Sequence, residues 1–527
     1  MGMPSVEPLL EDKAEFTPAD ILRPAAFPHP VTELRVQQTN LSWIVLTGPY
    51  AYKIKKSVAF SFVDQSTLQR RNALCEEELR LNQRLASNLY EAVVPITRLN
   101  EEVTVGGHGE IVDYAVKMKQ FEAADELSAL LKAQAVDATE LADLGVRLAD
   151  FHLSLPKEES AGELRATQQL HDAVLGSLAT VLCHLDEGTR CAELGALVDW
   201  IHDFFHDSLL VLGQRERDGH IRECHGDLHA GNIVRWGGQL IPFDSLDFDP
   251  KLRWIDTMND VAFLFMDLSS HNRRDLAFDF LNAYLSRTGD YDGVRLLNFY
   301  SIYRALIRAM VDLLSAENLA TDRDTYRQRA RLRLNTATGL LDAKDPALII
   351  MHGLSGSGKS FVSALIAEQL GGVQIRSDVE RKRLQAGSGA TAIHTEEFNQ
   401  RTYARLYESA QSCLQGGVTA IVDAAFLEAR NRDQFKAWAD SHGIPFLIVS
   451  CEAELSELES RIERRGALGV DPSDADLEEL RRQFRVWVPI GMGDTRRVVT
   501  INTMRPGAVQ EALPRLRATL RQCQVAE

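Results

Sequence analysis

No stretch of this 527-residue chain approaches the roughly 18 uninterrupted apolar residues that a membrane-spanning helix requires. Cysteine is sparse: seven residues, at 75, 183, 191, 224, 413, 451 and 523, odd in number and without a Cys-x-x-Cys pair. That pattern excludes a disulfide framework and the usual zinc spacings, and it fits reduced thiols. The segment Met1 to Asp20 is acidic and lacks a basic-then-apolar export signal, so a cytoplasmic location is expected. An excess of basic residues is also missing, because the net charge is −17. Residues 1–345 carry 36 Lys+Arg against 52 Asp+Glu, and residues 346–527 carry 22 against 23. Such a surface disfavours nonspecific nucleic-acid binding, and the acidic first part would suit a cationic substrate or simply solubility. There is no internal repeat or low-complexity tract. What remains is ordinary globular composition, 45% hydrophobic and 25% charged, in a chain long enough for about three compact units.

Prolines at 4, 8, 18, 24, 28 and 30 break any helix in residues 1–30, which reads as a leader draped on a surface. Leu41–Leu46 and Ala51–Lys55 around Gly48-Pro49 predict a hairpin, and apolar spacing predicts a helix over Leu68–Leu89. Short strands follow at Val93–Ile96, Glu102–Val105 and Ile111–Met118, which makes residues 31–121 a small α+β lobe. Residues 122–344 are largely helical, interrupted near 225–249, and Lys344-Asp345-Pro346 marks a boundary. Beyond it, in 345–527, five apolar strands alternate with helices: 347–351, 373–375, 420–422, 446–449 and 498–501. That alternation predicts a five-stranded parallel sheet with crossovers.

Two phosphate-handling signatures stand about 120 residues apart. In His225-Gly226-Asp227-Leu228-His229-Ala230-Gly231-Asn232, the spacing suits Asp227 as acceptor of a substrate hydroxyl proton and Asn232 as a Mg²⁺ ligand. A second metal ligand, Asp244, ends the apolar strand Gln239–Phe243. A kinase also needs a lysine on the hairpin strand, paired with a glutamate on the next helix. Lys53 and Lys55 share one strand face, with Lys53 favoured by the Ala-x-Lys pattern; Glu76, Glu77 and Glu78 are the possible partners, Glu78 being favoured. The Gly-rich phosphate loop of protein kinases is missing. Residues 40–340 resemble the aminoglycoside phosphotransferase family, whose loop reads His-Gly-Asp where protein kinases have His-Arg-Asp. The resemblance implies a two-lobed kinase fold and ATP held at a hinge near Lys117 to Phe121, including Met118. It also implies phosphorylation of a small-molecule hydroxyl, with His229 on the substrate side. Asp260 is expected to fasten the catalytic loop.

The second signature, Gly353-Leu354-Ser355-Gly356-Ser357-Gly358-Lys359-Ser360, follows a strand and opens a helix. In that context the backbone N–H groups cradle phosphates, Lys359 reaches the β/γ oxygens and Ser360 ligates Mg²⁺. Asp378 at a strand end could deprotonate an acceptor hydroxyl, with Arg376 and Arg381 screening charge on the substrate. Asp423 stands where a metal-binding acid would, without the usual acid after it. This part resembles small P-loop kinases such as gluconate kinases, polynucleotide kinases and zeta toxins. That likeness implies a lid in which Arg461, Arg464 or Arg465, before Gly469–Asp474, contacts the transferred phosphate; Arg464 is the residue chosen for that role.

The order of the two resembles a bacterial family of aminoglycoside phosphotransferase-like and P-loop ATPase fusions. The expected activity is a tandem kinase using Mg²⁺ and ATP (possibly GTP) on small-molecule hydroxyls, without membrane or nucleic-acid partners and with its oligomeric state open. The competing expectation is a regulatory or toxin-like protein. There the P-loop part would act on a nucleotide sugar or polynucleotide end, while the kinase-like part senses nucleotide or restrains it.

Overall fold

The computed structural model describes residues 16–60, 63–157, 165–185, 192–318, 323–341, 346–388, 395–468, 476–488, 490 and 497–525. Lys344 and Asp345 of the expected boundary, the first half of the expected leader and the Gly469–Asp474 lid segment lie outside the described residues. Two compact units emerge. The first is Met1–Ala129 with His225–Asp227 and Gly231–Arg253; the second is Leu130–Cys224, Leu228–Ala230 and Trp254–Glu527.

The first unit is built on a six-stranded antiparallel sheet. Its strands are β1 (Arg35–Gln38), β2 (Ser42–Leu46), β3 (Tyr50–Lys55), β4 (Tyr90–Leu99), β5 (Glu102–Val105) and β6 (Glu110–Lys119), in the order β1-β2-β3-β6-β4-β5. β2 and β3 pair from Ser42 opposite Lys55 to Leu46 opposite Ala51, closed by Gly48 at φ +97°. β1 was not expected: all four of its residues are exposed, so it carries no apolar alternation to read. Helix α1 (Leu68–Ala86) is capped by Thr67, which accepts from the Arg70 N–H. Arg71, Cys75, Glu78 and Asn82 recur at helical spacing on its buried face. Cys75 and Ala86 pack with Ala51, Val116 and Met118 of the sheet, and with Val234 and Ile241 of the hairpin β7 (Ile233–Trp236) and β8 (Gln239–Pro242).

The second unit opens with helices α2 (Ala138–Ser154), α3 (Arg165–His184), α4 (Ala192–Asp218), α5 (Thr257–Ser270), α6 (Arg274–Thr288), α7 (Leu297–Asn318) and α8 (Arg323–Gly339). α5 is buried from Thr257 to Leu268, which makes it the axis of this helical layer. Asp256 caps it by accepting from the Met258 N–H. The same carboxylate takes Arg215 at 2.7 and 2.8 Å, and Asp290 takes the other edge of that guanidinium at 2.6 and 2.8 Å. An arginine only 1% exposed is tolerated there because both edges are paired.

An α/β layer follows in the same unit. Strands β9 (Leu348–His352), β10 (Gly372–Arg376), β11 (Thr419–Asp423), β12 (Phe446–Glu452) and β13 (Val498–Asn502) form one parallel sheet in the order β10-β11-β9-β12-β13. All five residues of β9 are buried, as expected of a parallel strand covered on both faces. The connecting helices are α9 (Lys359–Leu370), α10 (Ser377–Ser388), α11 (Glu396–Gln415), α12 (Ala429–Ser441), α13 (Leu455–Leu468), α14 (Leu477–Val486) and α15 (Ala508–Val525). The chain passes from β9 to β10 on one side of the sheet and to β12 on the other. This strand-order reversal opens a crevice at the carboxyl end of β9. The architecture is the one expected from the sequence: kinase-like α+β and helical layers followed by an α/β P-loop domain with a five-stranded parallel sheet.

Candidate functional site

In the first unit, β3 presents Lys53 and Lys55 to one side, and α1 presents Glu78 beneath them. The Lys53 ammonium lies 2.9 Å from Glu78 and also pairs with Asp244, 191 residues away in sequence. Lys55 donates to the other Glu78 oxygen at 2.5 Å and pairs with Asp247. Burial pulls the Lys53 pKa down, but Asp244 and Glu78 outweigh it and hold it well above the usual lysine range. Burial pushes Glu78 up, and the two lysines more than offset that, so the carboxyl sits below its usual range. Of the three candidate glutamates, Glu76 is exposed and Glu77 pairs with Arg80 and Arg253. Lys55 and Asp247 were not singled out as a pair from the sequence, although the i, i+2 spacing with Lys53 carried the signal.

The loop residues are fixed by short bonds. Asn232 donates to the Asp227 carboxylate at 2.9 Å and to its carbonyl at 3.0 Å. The His225 ring bonds the Phe243 carbonyl at 3.0 Å, which ties the loop to the chain just before Asp244. Asp244 itself adopts φ +60°, sparsely populated by L residues, and donates its N–H to the Tyr90 hydroxyl at 3.3 Å. Asn82 of α1 accepts from the Ser245 N–H at 2.9 Å. The Met118 side chain is 6% exposed and packed in the apolar cluster under the sheet, so only its backbone is available for the expected hinge role. In the second unit, the buried His229 ring meets Arg308 at 2.8 Å and packs against Phe263. Asp260 meets His152 at 3.2 Å, while the loop N–H of Ala230 goes to Asp267 at 2.9 Å.

In the P-loop domain, the loop after β9 needs its glycines. Gly353, Gly356 and Gly358 have φ of +141°, +82° and +86°. A Cβ on Gly353 would stand 2.5 Å from the Cys451 carbonyl oxygen, and one on Gly356 would stand 2.8 Å from that of Leu458. Ser355 donates its N–H to Gln483 at 2.8 Å, and the Lys359 ammonium folds back on the Leu354 carbonyl at 2.9 Å. Ser357 is 1% exposed and its hydroxyl has no hydrogen-bond partner among the described residues. Burial pushes the Asp423 carboxyl up, against the pull of Ser360, Lys359 and Arg376. Burial also lowers Lys359, against the pull of Asp423, Cys451 and Asp378.

An open cavity of about 350 Å³ brings Ser355, Gly356, Gly358, Lys359 and Ser360 together with Asp378, Arg381 and Asp423. α10 starts at Ser377, so Asp378 sits inside its first turn. Two expectations are corrected by the geometry. Arg464 is turned to solvent, with 66% of its side chain exposed beside Glu457, while Arg461 and Arg465 line the cavity. One helical turn separates 461 from 465, and 464 falls outside that face. Arg376 lies 3.6 Å from Asp423 and is not among the residues lining the cavity, so Arg381 alone of the two flanks Asp378 there. Tyr403, Arg430, Asn431 and Gln483 also line it, and no spacing in the sequence had tied them to the loop.

The chain is thus a fusion of kinase-like layers with a P-loop domain. Residues 348–490 match the family model described as "AAA domain". An uncharacterized protein of Mycobacterium tuberculosis strain H37Rv is 27% identical over 465 residues, covering 85% of this chain and 90% of its own. Among solved structures, a gluconokinase from Sinorhizobium meliloti 1021 is 22% identical, covering 34% of this chain and 94% of that one, with a TM-score of 0.26. The Plasmodium vivax ethanolamine kinase is 12% identical, covering 58% and 81%, with a TM-score of 0.37.

Proposed function

We propose that the protein is a tandem ATP-dependent phosphotransferase, each of its two sites passing the γ-phosphate of ATP to a hydroxyl of a small molecule. The observation that carries this reading is the convergence in the first unit of Lys53, Glu78 and Asp244, beside an Asp227 already bonded to Asn232. The acceptor O–H would lose its proton to Asp227 while its oxygen bonds the γ-phosphorus. The bond from that phosphorus to the β-phosphate oxygen breaks, and ADP leaves. In the P-loop domain, Asp378 would take the same part, with Lys359 and the loop N–H groups on the phosphates.

Both donor sets fit Mg²⁺. Three carboxylates, Glu78, Asp244 and Asp247, face two lysines, leaving a net negative charge, and Asn232 is tied to the same segment by accepting the Phe243 N–H on its carbonyl at 2.9 Å. In the second site Ser360 and Asp423 line one cavity with Lys359. Asn232 and Asp244 would hold the ion in one site, Ser360 and Asp423 in the other. Bound there, Mg²⁺ supplies neutralisation of phosphate charge. The test is a screen of hydroxylated metabolites with radiolabelled ATP, comparing the full-length protein with Asp227→Asn and Lys359→Ala. Each variant should lose a distinct labelled product; the same products from both variants and the unaltered protein would refute the assignment.

A further inference from the structure

The P-loop sheet has an open edge at β10, and within the second unit that edge meets α6 of the helical layer. Asn282 of α6 donates to the Gly372 carbonyl at 3.0 Å and accepts from the Gln374 N–H at 2.8 Å. One amide side chain thereby supplies the donor and the acceptor that a neighbouring strand would. A turn further on, the last carbonyls of α6 receive two arginines from the P-loop domain. Arg383 of α10 donates to Ser286 at 2.6 Å, and Arg405 of α11 donates to Gly289 at 2.7 Å. Cations at a helix C-terminus satisfy orphan carbonyls and complement the helix dipole. Both arginines are gathered by Glu380, which is 0% exposed. The approach is close throughout: a Cβ on Gly416 would lie 2.3 Å from the Val294 carbonyl oxygen, and Asn298 donates to the Gly416 carbonyl at 3.0 Å.

Helix α10 therefore has two committed faces. Asp378, Arg381 and Lys382, spaced i, i+3, i+4, line the phosphate-loop cavity. Glu380 and Arg383, spaced i, i+3, face α6; Glu380 is two residues from Asp378 and so about 200° around the helix. The element that carries the acceptor-side acid is bolted on its other side to a helix outside the P-loop domain. We propose that Asn282, with the Glu380–Arg383–Arg405 cluster, is a positioning device for the second phosphotransfer site: α6 sets where β10 and α10 place Asp378 and Arg381 relative to Lys359. The phosphate loop itself hangs from β9; its last residue, Ser360, takes the Gln374 side-chain amide on its carbonyl at 3.1 Å, whereas Asn282 holds the Gln374 backbone, so nucleotide binding depends on this edge less directly than acceptor activation does. This rests on the P-loop domain being a phosphotransferase site, as proposed above.

The test uses the full-length protein with Asp227→Asn to silence the first site, and reads Lys359-dependent hydrolysis of MgATP, MgATP affinity by calorimetry and amide hydrogen exchange. In Asn282→Ala, exchange at the Gln374 amide should quicken by about tenfold. Hydrolysis should fall by about ten- to a hundredfold with affinity changed less than about twofold, because a misplacement near 1 Å is enough to cost that rate. Asn282→Asp, which keeps the acceptor for Gln374 and loses the donor to Gly372, should fall between the two. Arg405→Lys, more exposed and unable to keep its donor geometry, should reproduce the rate loss without unfolding. Unchanged Gln374 exchange, or rate and affinity falling together, overturns the positioning role. Absence of Lys359-dependent hydrolysis in the parent protein would instead refute the phosphotransferase reading, and the exchange arm would still decide whether Asn282 holds the edge.

Discussion

Replacing Glu78 by Gln isolates what the buried acid beneath β3 contributes. The carboxylate is 0% exposed and serves two ammonium groups through separate oxygens, at 2.9 Å to Lys53 and 2.5 Å to Lys55. An amide of the same shape can accept from one lysine only, and turns an N–H donor toward the other cation. Removing one partner of a buried ion pair typically costs about 3–5 kcal/mol. Lys53 keeps Asp244 and Lys55 keeps Asp247, so the lower end applies, about 3 kcal/mol. For a unit of this size that lowers the midpoint of its thermal unfolding by roughly 6–12 °C. Differential scanning calorimetry at neutral pH measures it, with Glu76→Gln on the exposed face of α1 as the control, expected within about 0.5 kcal/mol of the parent. A shift in Glu78→Gln no larger than that of Glu76→Gln would refute the argument that this carboxylate holds the strand. ATP affinity of the first site should fall in parallel, because Lys53 is then drawn toward Asp244 alone.

Gly353→Ala should abolish nucleotide binding in the P-loop domain while leaving the first site intact, because the new Cβ meets the Cys451 carbonyl at 2.5 Å and φ is +141°; calorimetry should count one ATP site instead of two. Asp378→Asn should lower transfer by about 10²–10⁴-fold with nucleotide affinity retained, whereas Asp423→Asn, in the same cavity as Ser360, should weaken Mg²⁺-dependent binding itself; equal effects on affinity would contradict the division of labour. Asp279 on α6 is pushed up to about 6 by burial, then by Glu368 and Asp275. The native state thus holds this proton more tightly than the unfolded chain, so stability falls as pH rises from about 4 to 6. Asp279→Asn should flatten that part of the melting-temperature profile, and an unchanged slope would count against it.

What could be read from the sequence follows a physical line. The phosphate loop and the His225–Asn232 loop are local: their function is a backbone path over eight residues, and glycine, lysine and carboxylate positions record that path directly. The parallel strands were legible because burial on both faces leaves an uninterrupted apolar run, as at β9. β1 was not, because an exposed edge strand has no pattern of its own. Arg464 was preferred over Arg461 and Arg465 because a run of arginines on a helix does not say which side is turned inward, and the structure turns 461 and 465.

The same limit explains why the junction at α6 was only half legible. Its acceptors are mostly carbonyl oxygens, those of Ser286 and Gly289 on one side and of Gly372 on the other, and every residue carries one. The informative half was visible all the same. α10 shows two charged sets offset by about half a turn, Asp378 with Arg381 and Glu380 with Arg383. A helix that only capped a catalytic site would need charge on one face, with its other face apolar against the sheet or solvated. A fully buried glutamate between two arginines is costly unless all three are paired, so its presence on α10 signals a polar partner on that side. Two domains joined only by a flexible linker would have no use for it. The cluster argues that, within the second unit, β10 and α10 were assembled against the helical layer.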